Sequence, residues 1–222
     1  MLIIHGIPTS VHTRKVLVAA NEKGVPYRNE PVIPFTPPPG WAELSPTGKI
    51  PVLEAGDVVV RDSSVICAFL DREYPGRALY PAGRRDWVKA LWLEEYADST
   101  LFPQVVHGLF FQKVIRPGIL KQPTDDAAVA TILAESLPKV FGYLEASLEG
   151  EWLAGDTWSL ADAAVASNLI NFHYLGYRID RDSFPKLAKH FRAQLERPSV
   201  ARAVEGERGA ADMMGLDRSF LN

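Results

Sequence analysis

Between Tyr74 and Gly83 the chain carries Pro75, Gly76, Pro81 and Gly83, and the hydrophobic rhythm before this stretch differs from the rhythm after it. Proline fixes φ and lacks an amide donor, and glycine weakens any helix it enters, so no regular element is expected to run through. Before the break, short apolar runs alternate with helical segments. Beyond it the period is helical throughout. A chain of 222 residues patterned in this way is expected to fold as a mixed α/β domain over residues 1–76, a linker at 77–84 and an all-helical domain over 85–222.

Leu2-Ile3-Ile4-His5, halted by Gly6 and Pro8, reads as a buried strand. A helix starts near Val11, carried by Val16, Leu17, Ala19 and Ala20, and Gly24 supplies a left-handed stop. Pro26 to Ile33 reads as a second strand. Pro34-Phe35-Thr36-Pro37-Pro38-Pro39-Gly40 is barred from regular structure by its prolines, and a short helical turn follows at Trp41 to Leu44. Pro51-Val52-Leu53-Glu54 and Val58-Val59-Val60-Arg61 flank Gly56-Asp57 as a hairpin. Ser63 to Tyr74 reads as a helix with Val65, Ile66, Phe69 and Leu70 on its buried side.

In the second part, Val88, Leu91, Trp92 and Tyr96 keep helical spacing in a helix that continues past Pro103. Val129, Ile132, Leu133, Val140, Phe141, Leu144 and Leu148 mark the clearest amphipathic helix. Leu160 to His173 is nearly all apolar and predicts a buried central helix, and Leu187, Phe191 and Leu195 mark another that Pro198 stops.

Apolar residues make up 47% of the chain and the formal net charge is only −3, so neither nucleic acid nor an anionic membrane is an expected partner. No apolar run approaches the roughly 20 residues that span a bilayer. Met1-Leu2-Ile3-Ile4-His5-Gly6 lacks the basic start and apolar core of a signal peptide, and the cytoplasm is the expected location. The single cysteine, Cys67, excludes an internal disulfide, and the histidines show no metal-ligand spacing, so no metal is expected.

Three segments go further. Ser45-Pro46-Thr47-Gly48-Lys49-Ile50-Pro51-Val52-Leu53 resembles the proline loop of the soluble glutathione transferases. Asp62-Ser63-Ser64-Val65-Ile66 resembles that family's acidic-Ser signature, and Trp158-Ser159-Leu160-Ala161-Asp162 resembles the capping segment of its central helix. The start, Gly6 to Val16, is most similar to the Ser-type classes (phi, theta and zeta). The motifs stand in the family's order, and the resemblance covers residues 2 to 200. It implies a thioredoxin-like first domain (βαβ-ββα) that binds glutathione, and an all-α bundle that shapes a pocket for a small hydrophobic electrophile. It also implies a homodimer and a detoxifying transfer of alkyl or aryl groups to glutathione, the co-substrate.

The same resemblance assigns residues. Ile50, before a cis Pro51, would pair main chain to main chain with the cysteinyl unit of glutathione. From sequence alone the bland reading of Pro51 is a trans proline that opens a strand. Asp62 would attract the γ-glutamyl ammonium, and Ser63 with its neighbouring amides would hold the α-carboxylate. The alternative is that either residue simply caps a helix. Ser10 would donate a hydrogen bond to the glutathione sulfur and favour thiolate over thiol; it too has the alternative role of an N-cap, and Thr9 and Thr13 are its nearest hydroxyl rivals.

Lys49 would meet the glycyl carboxylate or stay solvated, and His12 and Arg14 are other sources of positive charge. Val106, His107, Phe110 and Phe111 would line the electrophile pocket, or else form helical core. Met213, Met214, Leu216 and Phe220 would cover that pocket or dock elsewhere. Ser159-x-x-Asp162 reads as a structural capping box. Two rival functions remain beside the transferase. One is a non-catalytic binding module of the same fold; the other is a glutathione-dependent isomerase, dehalogenase or peroxidase.

Overall fold

The computed structural model describes residues 1–221. The chain forms two compact units, one of Met1–Leu79 with Pro198–Ala210, the other of Tyr80–Arg197 with the residues from Ala211 onward.

The first unit runs β1 (Leu2–His5), α1 (Val11–Lys23), β2 (Tyr27–Glu30), α2 (Trp41–Leu44), β3 (Val52–Ala55), β4 (Val58–Arg61) and α3 (Ser63–Glu73). The sheet order is β2-β1-β3-β4, with β1 parallel to β2 and antiparallel to β3, and β3 antiparallel to β4. This is the thioredoxin-like βαβ-ββα arrangement that the resemblance implies. Ile4 stands opposite Leu53, and Leu53 opposite Val60, so one buried row crosses three strands. Helix α1 stops at Gly24, whose φ of 65° suits a residue without Cβ and whose amide reaches back to the carbonyls of Ala20 and Asn21. On α3, Ile66, Cys67 and Leu70 are buried, but Val65, expected among them, is 55% exposed. It lies one position before Ile66, about 100° round the helix from it.

Helix α10 (Pro198–Gly206) belongs to this unit, although its sequence follows directly on the helical domain. The cause is visible in α1, where ten residues are buried, including Val11, Arg14, Lys15 and Val18. One helix with so wide a buried surface needs a further partner besides the sheet and α3. The apolar face of α10 (Val200, Ala203 and Val204, all buried) supplies it, and Asn21 Nδ2 donates to the Ser199 carbonyl at 2.9 Å.

The second unit contains α4 (Arg84–Tyr96), α5 (Arg116–Gly118), α6 (Asp126–Thr131), α7 (Leu137–Ser147), α8 (Leu160–Tyr174), α9 (Pro185–Glu196) and the second half of the short α11 (Arg208–Met213). Three stretches between them are wound as π-helix: Ala97–Leu101, Pro103–Ile115 and Ile132–Ser136. Each is linked to a proline just beyond its end: Pro103, Pro117 and Pro138. A proline in a helix takes away the bond to the carbonyl four residues back and crowds that carbonyl. Those carbonyls belong to Ser99, Lys113 and Ala134, one inside each widened stretch. The loosened i→i+5 winding is the local response to three missing donors.

The helical continuum Asp126–Ser147 is long and apolar enough, by length and composition, to cross a membrane, contrary to the sequence expectation that nothing approaches that length. It is interrupted by Pro138 and carries Asp126, Glu135, Lys139 and Glu145, and Val129, Leu137, Val140, Phe141 and Leu144 are buried inside the protein. It is an amphipathic bundle helix.

Helix α8 is buried along its whole length. Asp162 closes its start: Oδ2 accepts the Ser159 amide at 2.8 Å, and Oδ1 accepts the Leu153 amide at 2.9 Å and faces His190 Nε2 at 2.8 Å. Trp158 donates Nε1 to Gln194 Oε1 at 3.0 Å, and the Arg197 guanidinium lies 4.4 Å from its ring centre. At the other end of α8 the short turn Ser219–Leu221 docks. Phe220 packs on His173 and Tyr174, the Asp217 amide donates to the Tyr174 carbonyl at 2.8 Å, and Arg178 Nη2 donates to Asp217 Oδ2 at 2.7 Å. Of the two roles open to the tail, Phe220 and Leu216 take the docking one inside this unit, while Met213 stays exposed.

His173 is stacked on Phe191 and is only 5% exposed. Burial pushes its pKa down from 6.5 to about 4, aided by Arg178 and opposed by the bond to the Leu169 carbonyl. The imidazole is therefore neutral in the folded protein, while the unfolded chain takes up the proton near pH 6.5. Its contribution is present in full above that pH and is lost as pH falls toward 4. We predict that urea denaturation will show about 2 kcal/mol less stability from this group at pH 5 than at pH 7, and that His173→Phe will abolish that part of the slope. An unchanged slope in His173→Phe would refute the assignment.

Candidate functional site

Three pieces of the first unit meet where the sequence places its candidates: the loop from β1 into α1, the loop before β3 and the start of α3.

The first loop is held tightly. The Gly6 and Ile7 amides donate to the carbonyls of Glu30 and Val32 at 2.9 and 3.1 Å. Asn29, a residue the sequence reading passed over, donates its side-chain amide to the carbonyls of Ile4 and Gly6 at 2.8 and 3.0 Å. Gly6 has φ 153°, and a Cβ there would run into Thr13 Oγ1. The chain then reaches Ser10, the N-cap of α1, with φ −69° and ψ 131°. Its Oγ accepts the Thr13 amide at 3.5 Å, at the outer limit of a hydrogen bond. Both readings of Ser10 are thus compatible: the cap is present but weak, and the hydroxyl proton is left to donate elsewhere. Its rivals are less accessible, since Thr9 is 4% exposed and Thr13 is fully buried, whereas Ser10 is half-buried.

In the second loop the Ile50–Pro51 bond is cis. Ser45 Oγ donates to the Lys49 carbonyl at 2.7 Å, and Trp41 Nε1 donates to the Gly48 carbonyl at 3.2 Å. Trp41 is itself buried with Val32 and Val52, and Ile50 packs against that cluster. The strand ladders begin at Val52, so the Ile50 backbone lies outside them. Lys49 is exposed, in keeping with either of its readings.

At the third piece, Asp62 caps α3: Oδ1 accepts the amides of Ser64 and Val65 at 2.9 and 3.3 Å. Its backbone stands at φ 71°, ψ 136°, a conformation that costs energy for any residue with a side chain. Capping accounts for one carboxylate oxygen, and Oδ2 remains for another partner. Ser63 is buried, and its Oγ lies 3.4 Å from Nδ1 of His12. Lys15, 1% exposed, donates Nζ to Ser64 Oγ at 3.1 Å. The start of α1 and the start of α3 are therefore joined by side chains, His12 to Ser63 and Lys15 to Ser64. No sequence signal paired His12 with a residue 51 positions away.

Arg14 is the candidate the structure withdraws. It is fully buried, and its guanidinium is engaged by Glu207, so it is no surface charge for a carboxylate to meet. In the second unit, the four pocket candidates lie on the π-wound stretch Pro103–Ile115 and do not share one environment. Phe110 is buried along with Val105 and Leu109, Val106 and Phe111 are half-buried, and His107 is exposed, edge-on to Phe102. Among the described residues no group of three His, Cys, Asp or Glu side chains is placed to hold a metal ion.

Residues 4–78 match the family model for the glutathione S-transferase N-terminal domain, and residues 96–205 match that for the C-terminal domain. The chain belongs to the glutathione S-transferase family. It is 36% identical over 168 residues to glutathione S-transferase 3 of Zea mays, covering 73% of this chain and 74% of that protein. It is 28% identical to FtsZ-localized protein A of Caulobacter vibrioides over 182 residues, 78% of each. A solved glutathione S-transferase from Methylobacillus flagellatus, with GSH bound, superposes with a TM-score of 0.76 at 27% identity, covering 91% of this chain and 98% of that one.

Within this glutathione S-transferase chain, Asp62 is the point where conformational cost and capping gain oppose each other. Asp62→Ala keeps the unfavourable φ and removes both cap bonds, so it should lower unfolding free energy by about 1–2 kcal/mol. Asp62→Gly loses the same bonds but relaxes the backbone, and should cost measurably less in the same urea titration. Equal losses in the two variants would show that the backbone conformation carries no cost.

Proposed function

We propose that this protein is a glutathione transferase in which Ser10 stabilises the thiolate of bound glutathione for attack on a small hydrophobic electrophile. The observation that carries this is the state of the Ser10 hydroxyl: half-exposed at the positive end of α1, with its oxygen engaged, among the described residues, only by a 3.5 Å contact to an amide. A free thiol of this kind has a pKa near 8.5, so most of it is protonated at neutral pH. Donation from Ser10 to sulfur favours the anion; the proton goes to solvent. The sulfur lone pair then forms a C–S bond to the electrophilic carbon, and the leaving group departs with its bonding electrons. Holding both partners together supplies the remaining advantage.

The other roles follow the same reading. The Ile50 backbone, outside the ladders, would pair with the cysteinyl unit, and Ser63 with its neighbouring amides at the start of α3 would hold the γ-glutamyl carboxylate. Oδ2 of Asp62 would meet the ammonium, Lys49 the glycyl carboxylate, and Val106, His107, Phe110 and Phe111 the electrophile. No metal is assigned a role. The relatives named glutathione S-transferase and the GSH-bound neighbour support the substrate, and the cytoplasm is the location this chemistry fits.

Ser10→Ala should lower conjugation of glutathione to a chloronitroarene by roughly ten- to a hundredfold while glutathione affinity stays within about threefold. Full activity in Ser10→Ala would end the proposal. A second reading, a partner-binding module without turnover, is favoured by the likeness to the FtsZ-localized protein. It predicts glutathione binding with no turnover on any electrophile in a broad panel.

Homodimerisation is proposed as well. Trp87, Val88 and Trp92 of α4 and Tyr143 of α7 are 40–53% exposed, and Trp92 Nε1 meets the Tyr143 hydroxyl at 2.6 Å. The exposed Trp92–Tyr143 pair, with Trp87 and Val88 exposed on the same helix as Trp92, fits a covered face. Sedimentation should show a dimer that Trp87→Glu with Trp92→Glu converts to monomer; a native monomer would remove this part of the reading.

A further inference from the structure

One ion pair of the first unit is buried on both sides and plays no part in the roles proposed above. Arg14 and Glu207 are each at 0% side-chain exposure. Nε of Arg14 lies 3.0 and 3.2 Å from the two Glu207 oxygens, and Nη2 lies 2.8 Å from Oε2, a forked arrangement between residues 193 positions apart. The same Nη2 also donates to the Thr9 carbonyl at 3.3 Å. Thr9 immediately precedes Ser10, and the Ser10 carbonyl accepts the Arg14 amide at 2.8 Å. A single arginine therefore grips the main chain on both sides of the serine. Its side chain holds one carbonyl and its backbone amide holds the next.

Burying two charges is costly, and a buried pair gains little or nothing in stability over well-packed apolar residues of similar volume. Cohesion alone does not call for this pair. What apolar side chains could not do is donate a hydrogen bond to the Thr9 carbonyl, and what an unclamped arginine could not do is keep its planar fork in one orientation. Fixing that carbonyl fixes the Thr9–Ser10 peptide plane, and with it the direction in which the Ser10 side chain leaves the backbone.

We infer that Arg14, clamped by Glu207, is a positioning residue for Ser10: the pair aims the serine hydroxyl by fixing the main chain before and after it. This rests on the role proposed for Ser10. It adds that a segment between α10 and α11, remote in sequence, sets the geometry on which the bound thiol's acidity depends.

The test is the paired replacement Arg14→Met with Glu207→Leu, made in the native protein and in Ser10→Ala. Three quantities are read: thermal unfolding, the pKa of bound glutathione's thiol by ultraviolet titration, and kcat and KM for glutathione with a chloronitroarene. We expect the paired variant to fold and to bind glutathione with KM within about twofold. Its bound thiol pKa should rise by about one unit and kcat fall roughly tenfold near neutral pH. In Ser10→Ala the same pair of changes should add nothing further, because the group being aimed is gone.

A native thiol pKa in the paired variant, or an equal loss in both backgrounds, overturns the clamp and leaves Ser10's role standing. A native thiol pKa in Ser10→Ala itself overturns the serine mechanism and the clamp together. Should the paired variant unfold, Glu207→Gln keeps the shape and one acceptor. A smaller rise of the thiol pKa in that variant supports the clamp, and no rise overturns it.

Discussion

A helix buried on every side cannot leave its first amides to water, and α8 is such a helix. Ser159 and Asp162 meet that requirement as a reciprocal pair: Ser159 takes the Asp162 amide, and the Asp162 carboxylate takes the Ser159 amide just ahead of the helix, the Leu153 amide from the chain that leads in, and a contact to His190 of α9. A charged group with no exposed surface is tolerable only because several donors converge on it. In closing α8, Asp162 also fixes where the preceding loop and α9 must lie. The helical unit is thus organised around an acid that does no chemistry.

The first unit solves a related problem differently. Both α1 and α3 begin on short polar side chains, Ser10 and Asp62, and neither start is sealed as α8 is. Asp62 makes two cap bonds at 2.9 and 3.3 Å, whereas Ser10 makes one at 3.5 Å. Helix starts in this condition keep a partial positive charge that favours an anionic ligand. The contrast between units is between a helix start that must be finished by the protein and two that are left unfinished.

Much of this was legible in the sequence. Strand and helix order, the stop at Gly24, the hairpin, the buried central helix with its capping residues and the cis bond before Pro51 follow from local pattern or from the family motifs, which are local as well. What was not legible depends on long range. Arg14 looks like an ordinary basic residue in a first helical turn until Glu207 is brought against it, and nothing near either residue marks the pairing. The same holds for His12 with Ser63 and for α10, whose apolar face reads like any bundle helix. Val65 was misassigned because a run of apolar residues on a short helix leaves the edge of its buried face undefined. The π-wound stretches were hidden for another reason: a proline announces a break in the hydrogen-bond ladder, but not whether the helix will bend, stop or widen.

The return of α10 and Glu207 to the first unit bears on how this protein is made. A ribosome releases residues 1–79 long before residue 207 exists, so the sheet and its helices must wait with a guanidinium that has no carboxylate beside it. During that interval the inner side of α1 is wet and α10's share of the packing is missing. Units of this kind usually fold in order of emergence, yet here the amino-terminal one is finished by residues that appear only after most of the helical unit. Synthesis of the helical unit is therefore a timed delay, through which the nascent first unit stays incomplete.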